Sequence, residues 1–552
     1  MNTQTQTQTA AAIPATAQTT PAANVAAVNA TATVHPAPGR AWPQDLTTID
    51  EMVFAIDQVA ANEPQTSPQQ SPAAAFLPTD YSPSDVGNAE RFCDLWGEVT
   101  RYDVGRGCWM LWSGTHWEPD AKGDARNRMV KVAKHILNVD VEVHRLASRH
   151  PDDWDAIQQR KLKKEGQRLH TVPALEAGLK LASCHPDLAT LNSQFDQSPM
   201  EFNCLSGVIN LATGALMPHT PRHLHTHIAP VALAPAGIEC PRWMQFIDEI
   251  MCSDKELVAY LQRVVGYILT GRMDEQCFFV FYGFGSNGKS TFINTIRELM
   301  GSYAKQVEVS TFMETNRNDG LRNDLAALAG RRFVVSPEGK QGAALDETMV
   351  KAFTGGDAIS VRFLHKEFFE LQPVGKIVLA TNHKPVVRGT DNGIWRRMRL
   401  VPFLASFDAS QADKGLADKL KAELPAILQW AVEGAQLWQR HGLGIPQAVR
   451  KATMEYRSAS DTIQTFIDER CEVVHQASEG SQAMYKAYTD WCAAVGIRFP
   501  HKQAAFNQQL EERGLVRKKT ASQNLWLGVR LKSPSVPVAA SFGAGGNLNF
   551  GV

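Results

Sequence analysis

The stretch Gly283-Phe-Gly-Ser-Asn-Gly288-Lys289-Ser290 decides the fold of this 552-residue chain. It matches the phosphate-binding loop pattern G-x-x-x-x-G-K-[ST] at every fixed position. Residues 277–282 before it form an apolar run typical of a buried strand. Residues 290–300 after it have helical apolar spacing and end at Gly301. Strand, loop and helix in this order predict the phosphate-binding unit of an α/β domain.

The residue types in this loop suit a polyphosphate ligand. Gly283, Gly285 and Gly288 let the backbone curl so that N–H groups and the helix N-terminus point at an anion. Lys289 adds a charge for the β- and γ-phosphates, and Ser290 offers its hydroxyl to Mg²⁺. ATP and Mg²⁺ are therefore the expected cofactors, and the residues predicted to hold them are Gly283, Phe284, Gly285, Ser286, Asn287, Gly288, Lys289, Ser290 and Thr291. A glycine-rich turn with a surface lysine is the competing interpretation, which the flanking strand and helix disfavour.

Composition limits the classes of function. The formal net charge is -1 and the hydrophobic content is 44%, which suits ordinary packed cores in about three or four domains. A protein that coats long nucleic acid non-specifically is usually more basic, so DNA contacts must come from local patches or from a ring of subunits.

The cysteines and the apolar runs bear on the compartment. The nine cysteines are scattered without a C-x-x-C pair, which argues against a zinc ribbon or a disulfide framework and for a reducing, cytoplasmic setting. We find neither an apolar run of membrane-spanning length nor the features of a secretory signal at the N-terminus. The sequence therefore predicts no membrane contact.

The predicted fold class is α/β, with a P-loop AAA+-like ATPase core, a preceding mixed α+β domain and a C-terminal winged-helix-like domain. Residues 1–85 are rich in Ala, Thr, Gln and Pro and are predicted to be a disordered tail. The other predicted units are a mixed domain at 86–238, an ATPase domain with a helical collar at 239–405, a helical segment at 406–457, a winged-helix-like domain at 458–533 and a flexible tail at 534–552.

Three features of the predicted mixed domain allow more than one interpretation. Aromatic residues crowd residues 92–117 with arginines between them, a pattern that stacks single-stranded bases but more often forms a core. Asp140 and Glu142 have a two-metal spacing that nothing nearby completes, and we interpret them as surface residues. His223, His225 and His227 alternate as metal ligands on one strand face would, but an exposed strand is favoured because no Cys or carboxylate lies nearby in sequence.

Two further strands predict the rest of the ATP site. Residues 332–336 form an apolar strand that ends at Pro337, so Glu338 follows its tip, where a carboxylate orients Mg²⁺ and polarises water. Residues 376–380 form another, and Asn382 follows it with a neutral amide suited to positioning water. Arg396 and Arg397 lie further on, where they could reach the ATP of a neighbouring subunit as fingers.

The run from 281 to 403 resembles a superfamily 3 helicase, of the phage and plasmid primase-helicase branch that is also similar to the poxvirus primase-helicase. The likeness rests on residues 283–291, 332–338, 345–351, 354–357, Arg362, 381–385 and 395–397, and it extends more weakly upstream to about Asn88. It implies that Lys289 and Ser290 are the Walker A pair, Glu338 the Walker B acid and Asn382 sensor 1. It also implies that Arg397 is the arginine finger, with Arg396 as its rival. Pro337 stands where many relatives have a second acid, so metal coordination would rest on Ser290 and Glu338.

The predicted DNA contacts fall in two places. Residues 357–373 read as strand, polar tip and strand, with His365 and Lys366 at the tip, and the resemblance implies that this hairpin lines a central channel. Lys351 and Arg362 are further predicted DNA-binding residues. An ordinary surface hairpin is the alternative.

The second predicted DNA contact is near the C-terminus, where a helix followed by two strands suggests a winged helix. Residues 502–532 carry Lys502, Arg513, Arg517, Lys518, Lys519, Arg530 and Lys532 against Glu511 and Glu512. This local excess favours duplex contact through Arg517, Lys518 and Lys519. A packing module that closes a ring is the alternative.

Together these features predict an ATP-dependent replicative DNA helicase of a phage, plasmid or integrated element. The expected assembly is a homo-hexameric ring that translocates on single-stranded DNA, acts at forked DNA and works with a separate primase or replication protein. A nucleotide-switched origin-binding initiator with little unwinding is one alternative. The helicase half of a primase-helicase is another, weakened by the lack of a zinc ribbon and of a convincing carboxylate pair.

Overall fold

The computed structural model describes residues 81–314, 323–337, 342–362, 368–389, 392–408, 413–497, 500–521 and 523–532. The predicted tails therefore lie outside the described residues, except for 81–85. Of these residues, Tyr81, Ser82 and Ser84 contact the first helix, α1 (Asp85–Trp96), and Asp85 is its first residue. Ser84 caps α1 by accepting a hydrogen bond from the Gly87 N–H (3.3 Å), and the Arg91 guanidinium lies 5.0 Å from the ring of Tyr81.

The first part of the chain combines a four-stranded sheet with helices. The strands are β1 (Thr100–Asp103), β2 (Cys108–Trp112), β3 (Trp117–Pro119) and β4 (Ala189–Thr190), in the order β3-β2-β1-β4. The helices after α1 are α2 (Asp124–His135), α3 (Val141–Ala147), α4 (Trp154–Arg168) and α5 (Val172–Ala182). Phe92, Trp112 and Trp117 are buried, so the packing interpretation of the aromatic-rich stretch is confirmed for these residues.

The sequence analysis interpreted Asp140 as a surface residue, and this interpretation is wrong because Asp140 is buried. It lies in a continuous helical stretch formed by Ile136–Asp140 and α3 rather than on a strand. Its carboxylate is buried and accepts a hydrogen bond from Arg91 Nε at 2.9 Å, with His135 Nε2 at 3.3 Å. An ion pair formed with a residue 49 positions away explains its burial.

A small three-stranded sheet follows, made of β5 (Glu201–Cys204), β6 (Gly207–Asn210) and β7 (Leu216–Met217). The exposed strand predicted for the three histidines is wrong. Pro221–His223 forms a 3₁₀ turn, Leu224 has a positive φ of 51°, and His225 and His227 are buried.

A five-stranded parallel sheet forms the centre of the chain. Helices α6 (Pro241–Ile250) and α7 (Lys255–Leu269) lead into β8 (Phe278–Tyr282), and α8 (Lys289–Met300), β9 (Ala304–Gln306), α9 (Asn323–Ala326) and β10 (Phe333–Ser336) follow. Next come α10 (Glu347–Gly355), β11 (Ile359–Arg362), β12 (Phe368–Leu371), β13 (Lys376–Thr381), α11 (Asn392–Trp395) and β14 (Met398–Pro402). The sheet order is β14-β8-β13-β10-β9, while β11 and β12 pair separately as an antiparallel hairpin. The predicted strands around residues 277–282, 332–336 and 376–380 are confirmed.

Helices α12 (Leu416–Ala422), α13 (Leu424–His441) and α14 (Gln447–Ser460) close this part of the molecule. Helices α13 and α7 cross in close backbone contact at Gly266. A Cβ on Gly266 would clash with the backbone at Gly434 and Ala435. One hydrophobic core extends from Phe202 to Val449. The predicted boundaries at 238/239 and 405/406 both run through this core, so the helical collar, the sheet and the helical segment pack as one body.

The C-terminal module has its own core. It contains α15 (Thr462–Arg470), β15 (Cys471–Gly480), α16 (Ser481–Ala494), α17 (Gln503–Glu512), β16 (Val516–Lys519) and β17 (Asn524–Leu531). Strand β17 lies between β15 and β16, and the module's buried residues run from Ile463 to Val529. The helix and two strands predicted near the end of the chain are present, and β15 is an additional strand. Across the residues that the structure describes, we find no helix that is both long and apolar enough to span a bilayer.

Candidate nucleotide-binding site

The loop between β8 and α8 lies at the carboxyl end of the parallel sheet, the edge at which open α/β sheets bind ligands. Gly288 has φ 80° and precedes the first residue of α8. A Cβ on Gly288 would clash with Ile250, and a Cβ on Gly283 would clash with the Phe403 carbonyl. Around Gly285, by contrast, the described residues leave open space. Two of the three glycines are therefore required by the packing of this loop.

Asn287 holds the loop in shape from within. Its side chain is buried, and its Nδ2 donates to the carbonyls of Phe284 (3.2 Å) and Phe403 (3.3 Å). Its Oδ1 accepts from the Lys289 N–H at 3.4 Å. Because Phe403 directly follows β14, Asn287 ties the loop to the neighbouring strand. The sequence pattern included this residue without predicting that structural role.

Lys289 and Asn382 meet at the end of the sheet although 93 residues separate them. Lys289 is buried, and its Nζ donates to the Gly283 carbonyl and, at 2.6 Å, to Asn382 Oδ1. Asn382 follows β13, which lies between β8 and β10 in the sheet. Ser290 and Phe284 are exposed beside this pair, with Phe284 at 74%. The arrangement can present an ammonium group, a neutral amide and a helix N-terminus to one anionic ligand.

The strand predicted to carry the metal-binding acid ends at the same edge. Ser336 is the buried last residue of β10, and Pro337 after it is exposed. Glu338 itself lies outside the described residues, so its assignment stays a prediction.

Arg396 and Arg397 lie at the amino ends of the strands, opposite the phosphate-binding loop. They precede β14, whose Met398 pairs with Phe278 at the start of β8, while Pro402 pairs with Tyr282 at the loop end. The Phe278 N–H donates to the Arg397 carbonyl at 2.9 Å. The length of β14 therefore separates both arginines from Lys289, by about 13 Å of extended strand. Arg396 is exposed, whereas Arg397 is half-buried and its Nη1 donates to the Gly393 carbonyl at 2.9 Å.

The two strands of the hairpin predicted within residues 357–373 are present as β11 and β12, and the place of this hairpin in a channel stays a prediction. Arg362 ends β11, and its guanidinium lies 4.7 Å from the centre of the Phe368 ring at the start of β12. Lys351 lies on α10, where its Nζ is 3.8 Å from a carboxylate oxygen of Glu347. His365 and Lys366, the predicted tip, lie outside the described residues.

The C-terminal basic residues are only partly available for DNA. Arg517, Lys518 and Lys519 are exposed on β16, an edge strand that pairs with β17 alone. Arg513 and Arg530 are instead ion-paired with Asp461 (2.6 Å) and Glu472 (2.6 Å). The three residues of β16 therefore form a continuous exposed basic row, and Lys502, Arg530 and Lys532 are exposed as well.

Lys384 is a residue at this site that sequence analysis did not single out. Its Nζ lies 4.7 Å from the ring centre of Tyr282, at the end of β8, and 5.2 Å from that of Tyr456 on α14. Burial lowers the pKa of Lys384 below its ordinary value. In the sequence, only its position in the run 381–385 indicated that Lys384 lies at this site. Its contact with Tyr456 joins distant parts of the chain and leaves no local pattern.

The fold and site define a mixed α/β protein with a candidate phosphate-binding loop at the carboxyl edge of a parallel sheet. Two family models match the chain: "D5 N terminal like" over residues 89–252, and a family of unknown function, DUF5906, over residues 281–397. The chain therefore contains a D5 N-terminal-like region and a DUF5906 region, and in both it is similar to D5-like primase-helicases. The expected family resemblance is thereby confirmed.

Curated relatives come from large DNA viruses. "Putative helicase L207/L206" of Acanthamoeba polyphaga mimivirus is 28% identical, over 43% of this chain and 27% of the relative. "Putative helicase 022R" of Frog virus 3 (isolate Goorha) is 26% identical, over 43% and 26%. "Putative primase C962R" of African swine fever virus (strain Badajoz 1971 Vero-adapted) is 23% identical, over 57% and 35%. The chain thus matches 26% to 35% of the length of these relatives.

Among solved structures, the chain is similar to the A form apo structure of the NrS-1 C-terminal region. The TM-score is 0.42 and the sequence identity 7%, with 77% of this chain and 94% of that chain covered.

Proposed function

We propose that this protein is an ATP-dependent DNA helicase that acts in replication. The observation that carries the proposal is the contact between Lys289 Nζ and Asn382 Oδ1, 2.6 Å apart, beside the N-terminus of α8. A buried ammonium group that donates to two neutral oxygens can exchange these for phosphate oxygens, which make stronger charge-assisted hydrogen bonds. The relatives named as helicases and primases support a role in replication.

The residues divide the work of hydrolysis between binding and positioning. Lys289 and the N–H groups at the start of α8 bind the phosphates. Asn382, released from Lys289 when nucleotide binds, can turn its amide to the attacking water. Ser290 and Glu338 would hold Mg²⁺, since hydroxyl and carboxylate oxygens are ligands that this ion accepts. Bound Mg²⁺ would neutralise charge on the phosphates.

The position of the arginines supports an assembly of several subunits. Both Arg396 and Arg397 lie at the edge of the sheet away from Lys289 in their own chain. A finger that neutralises transition-state charge must approach the γ-phosphate, so it would act on the ATP of a neighbouring subunit. A homo-hexameric ring satisfies this requirement and would place the β11–β12 hairpin towards single-stranded DNA in its channel.

The test compares ATP turnover and strand displacement on forked DNA for the native chain and for Lys289→Ala. We expect turnover that an added single-stranded oligonucleotide stimulates, and unwinding that requires ATP. Lys289→Ala should lose both activities by more than about 10³-fold, since phosphoryl-transfer catalysis is almost entirely positioning and charge stabilisation.

Lys421→Ala is the matched control. Its Nζ lies 2.7 Å from a carboxylate oxygen of Glu298 on α8, so it perturbs the same helix without reaching the loop. It should keep turnover and unwinding near the native values. A chain that stays monomeric with nucleotide and DNA, and whose turnover ignores the oligonucleotide, would contradict the helicase proposal.

The exposed basic strand β16 favours a second candidate, a nucleotide-switched initiator that binds an origin. Replacing Arg517, Lys518 and Lys519 by Gln should weaken duplex binding and reduce the slope of log K against log salt by up to about 2.7. A sequence-specific footprint without strand displacement would support the initiator. Primer synthesis by the purified chain on a single-stranded template would instead favour the primase-helicase interpretation.

A further inference from the structure

Three potential metal ligands meet away from the nucleotide site. Glu201, at the start of β5, brings its Oε2 to 3.0 Å from His223 Nδ1 and 3.2 Å from His225 Nε2. One ligand atom from each residue lies within 4.8 Å of those of the other two. The two imidazole rings are nearly parallel, with an interplanar angle of 5° and ring centres 5.5 Å apart. The carboxylate missing from the local sequence is therefore supplied by a strand 22 residues upstream.

His225 is buried without a satisfied polar contact. It is 1% exposed, and neither of its ring nitrogens has a hydrogen bond of acceptable geometry among the described residues. A buried polar group left in this state destabilises the fold, because it has lost its hydrogen bonds to water without replacing them. Its Nδ1 lies 4.0 Å from a carboxylate oxygen of Asp196, on the far side of the ring from Glu201. Metal-bound histidines commonly have a carboxylate in this outer position, which fixes the tautomer.

We propose that Glu201, His223 and His225 form a binding site for one divalent transition-metal ion, and that Zn²⁺ suits it best. Two imidazoles and one carboxylate are a common protein ligand set for Zn²⁺. Ligand atoms about 2.0–2.2 Å from a tetrahedral ion lie roughly 3.4 Å from each other, close to the two separations measured here. The side chains of Glu201 and His223 are each 22% exposed, which leaves room for water at a fourth position.

The location gives the ion a structural role. The His225 carbonyl accepts from the Trp117 N–H (2.8 Å), which connects this segment to β3. The Glu201 carbonyl accepts from Nη1 of the buried Arg332 (2.7 Å), beside β10 of the central sheet. An ion shared by Glu201 and the histidines would therefore fasten the N-terminal sheet to the central sheet. This role is independent of ATP turnover.

A second cluster provides an internal comparison. Cys93, His185 and Asp187 also bring their ligand atoms within 4.8 Å of one another. Burial raises the pKa of the Cys93 thiol to about 12, which opposes the thiolate that a metal needs. Asp187 is 80% exposed, and the Cys93 Sγ is already 3.2 Å from His185 Nδ1. We expect this cluster to remain without a metal.

The experiment measures metal content and calorimetric Zn²⁺ binding for the untagged full-length chain after chelation. We expect one equivalent of tightly bound Zn²⁺ and a rise in melting temperature on its addition. His223→Ala and Glu201→Gln should each weaken binding by more than about tenfold and remove the rise in melting temperature. His223 is partly exposed, so its replacement should leave the fold intact by circular dichroism. Cys93→Ser should bind as the native chain does.

Cobalt substitution gives a readout that does not depend on stability. Co²⁺ at the proposed site should give absorption bands of a low-coordinate N/O complex without thiolate charge transfer, and His223→Ala should abolish them. Binding of less than one equivalent of metal would overturn the proposal. Binding that survives His223→Ala, or a thiolate band that Cys93→Ser removes, would do the same.

Discussion

The two ends of the central parallel sheet carry different parts of the predicted ATP site. At the carboxyl end, Lys289, Asn382 and the N-terminus of α8 converge within hydrogen-bonding distance. At the amino end, Arg396 and Arg397 lie beside the start of β8, away from that cluster. Under the proposed function, one chain would bind the nucleotide through the groups at the carboxyl end, and a neighbouring chain would supply the arginine that completes hydrolysis.

Strand direction explains this separation. All strands of a parallel sheet end at one edge, so residues that directly follow β8, β10 and β13 are brought together wherever they lie in the sequence. Residues that precede β14 must lie at the other edge. No side-chain rearrangement can transfer Arg397 across the sheet, because its own carbonyl accepts a hydrogen bond from Phe278 at the start of β8. Under the proposed function, another copy of the chain would bring this edge to a nucleotide.

The largest expected effect comes from removing the arginine finger. We expect Arg397→Ala to lower ATP turnover by about 10³-fold or more, with nucleotide affinity largely retained, because the finger acts on transition-state charge. Mixing Arg397→Ala with Lys289→Ala should restore part of the turnover, since some interfaces would then combine a native loop with a native finger.

Arg396→Ala is the companion variant for this test and should have a smaller effect. The reverse ranking would move the role to Arg396, which is the more exposed of the two. Full loss in every mixture would contradict the idea that the two ends of the sheet cooperate between chains.

The next effect concerns Asn382 at the carboxyl end. We expect Asn382→Ala to reduce kcat by about 10²-fold with little change in KM, because a neutral amide that orients water acts mainly in the transition state. Asn382→Asp should be at least as damaging, since a carboxylate would hold Lys289 in an ion pair and repel phosphate. Steady-state turnover over a range of ATP concentrations separates these effects. An Asn382→Asp variant with native kcat would mean that the Asn382 amide has no role in hydrolysis.

Gly288 and Gly285 test which part of the loop is fixed by packing. Gly288→Ala should destabilise the protein by about 2–4 kcal/mol, because it combines a left-handed backbone with a clash against Ile250. Gly285→Ala, in open space, should change the free energy of unfolding by less than about 0.5 kcal/mol. Denaturant unfolding without nucleotide measures both values. Equal stability losses would mean that the loop has a different conformation from the one described here.

Local sequence pattern predicted the elements that hold the site but not all of its contacts. Apolar runs and a glycine-rich loop were sufficient to predict β8, α8, β10 and β13. Asp140 was misjudged and Glu201 was overlooked, because their partners lie 49 and 22 residues away, beyond the range of any periodicity. Strand β15 was missed because most of its residues are exposed or half-buried, and its alternation is interrupted between Val473 and Ser478. The roles of Glu338, His365 and Lys366 stay predictions.

The smallest effect concerns a buried lysine at the amino end of the sheet. Lys376 begins β13, and its Nζ donates to the Thr270 carbonyl and lies 4.6 Å from the ring centre of Tyr267. Burial lowers the pKa of Lys376 well below its ordinary value. Between the folded and unfolded pKa values, the unfolded chain binds a proton that the folded chain lacks, so stability rises with pH in that range.

Replacing Lys376 by Met should remove this dependence. The free energy of unfolding of the native chain, relative to Lys376→Met, should increase by up to about 1.4 kcal/mol per pH unit towards the unfolded pKa near 10. Denaturant unfolding at several pH values measures the difference, and Lys255→Met, at an 82% exposed side chain, corrects for the general effect of losing a lysine. Parallel curves for the native chain and Lys376→Met would mean that the surrounding carbonyl oxygens keep the ammonium charged. The amino end of the sheet would then hold a second buried positive charge in addition to that of Arg332, the residue before β10.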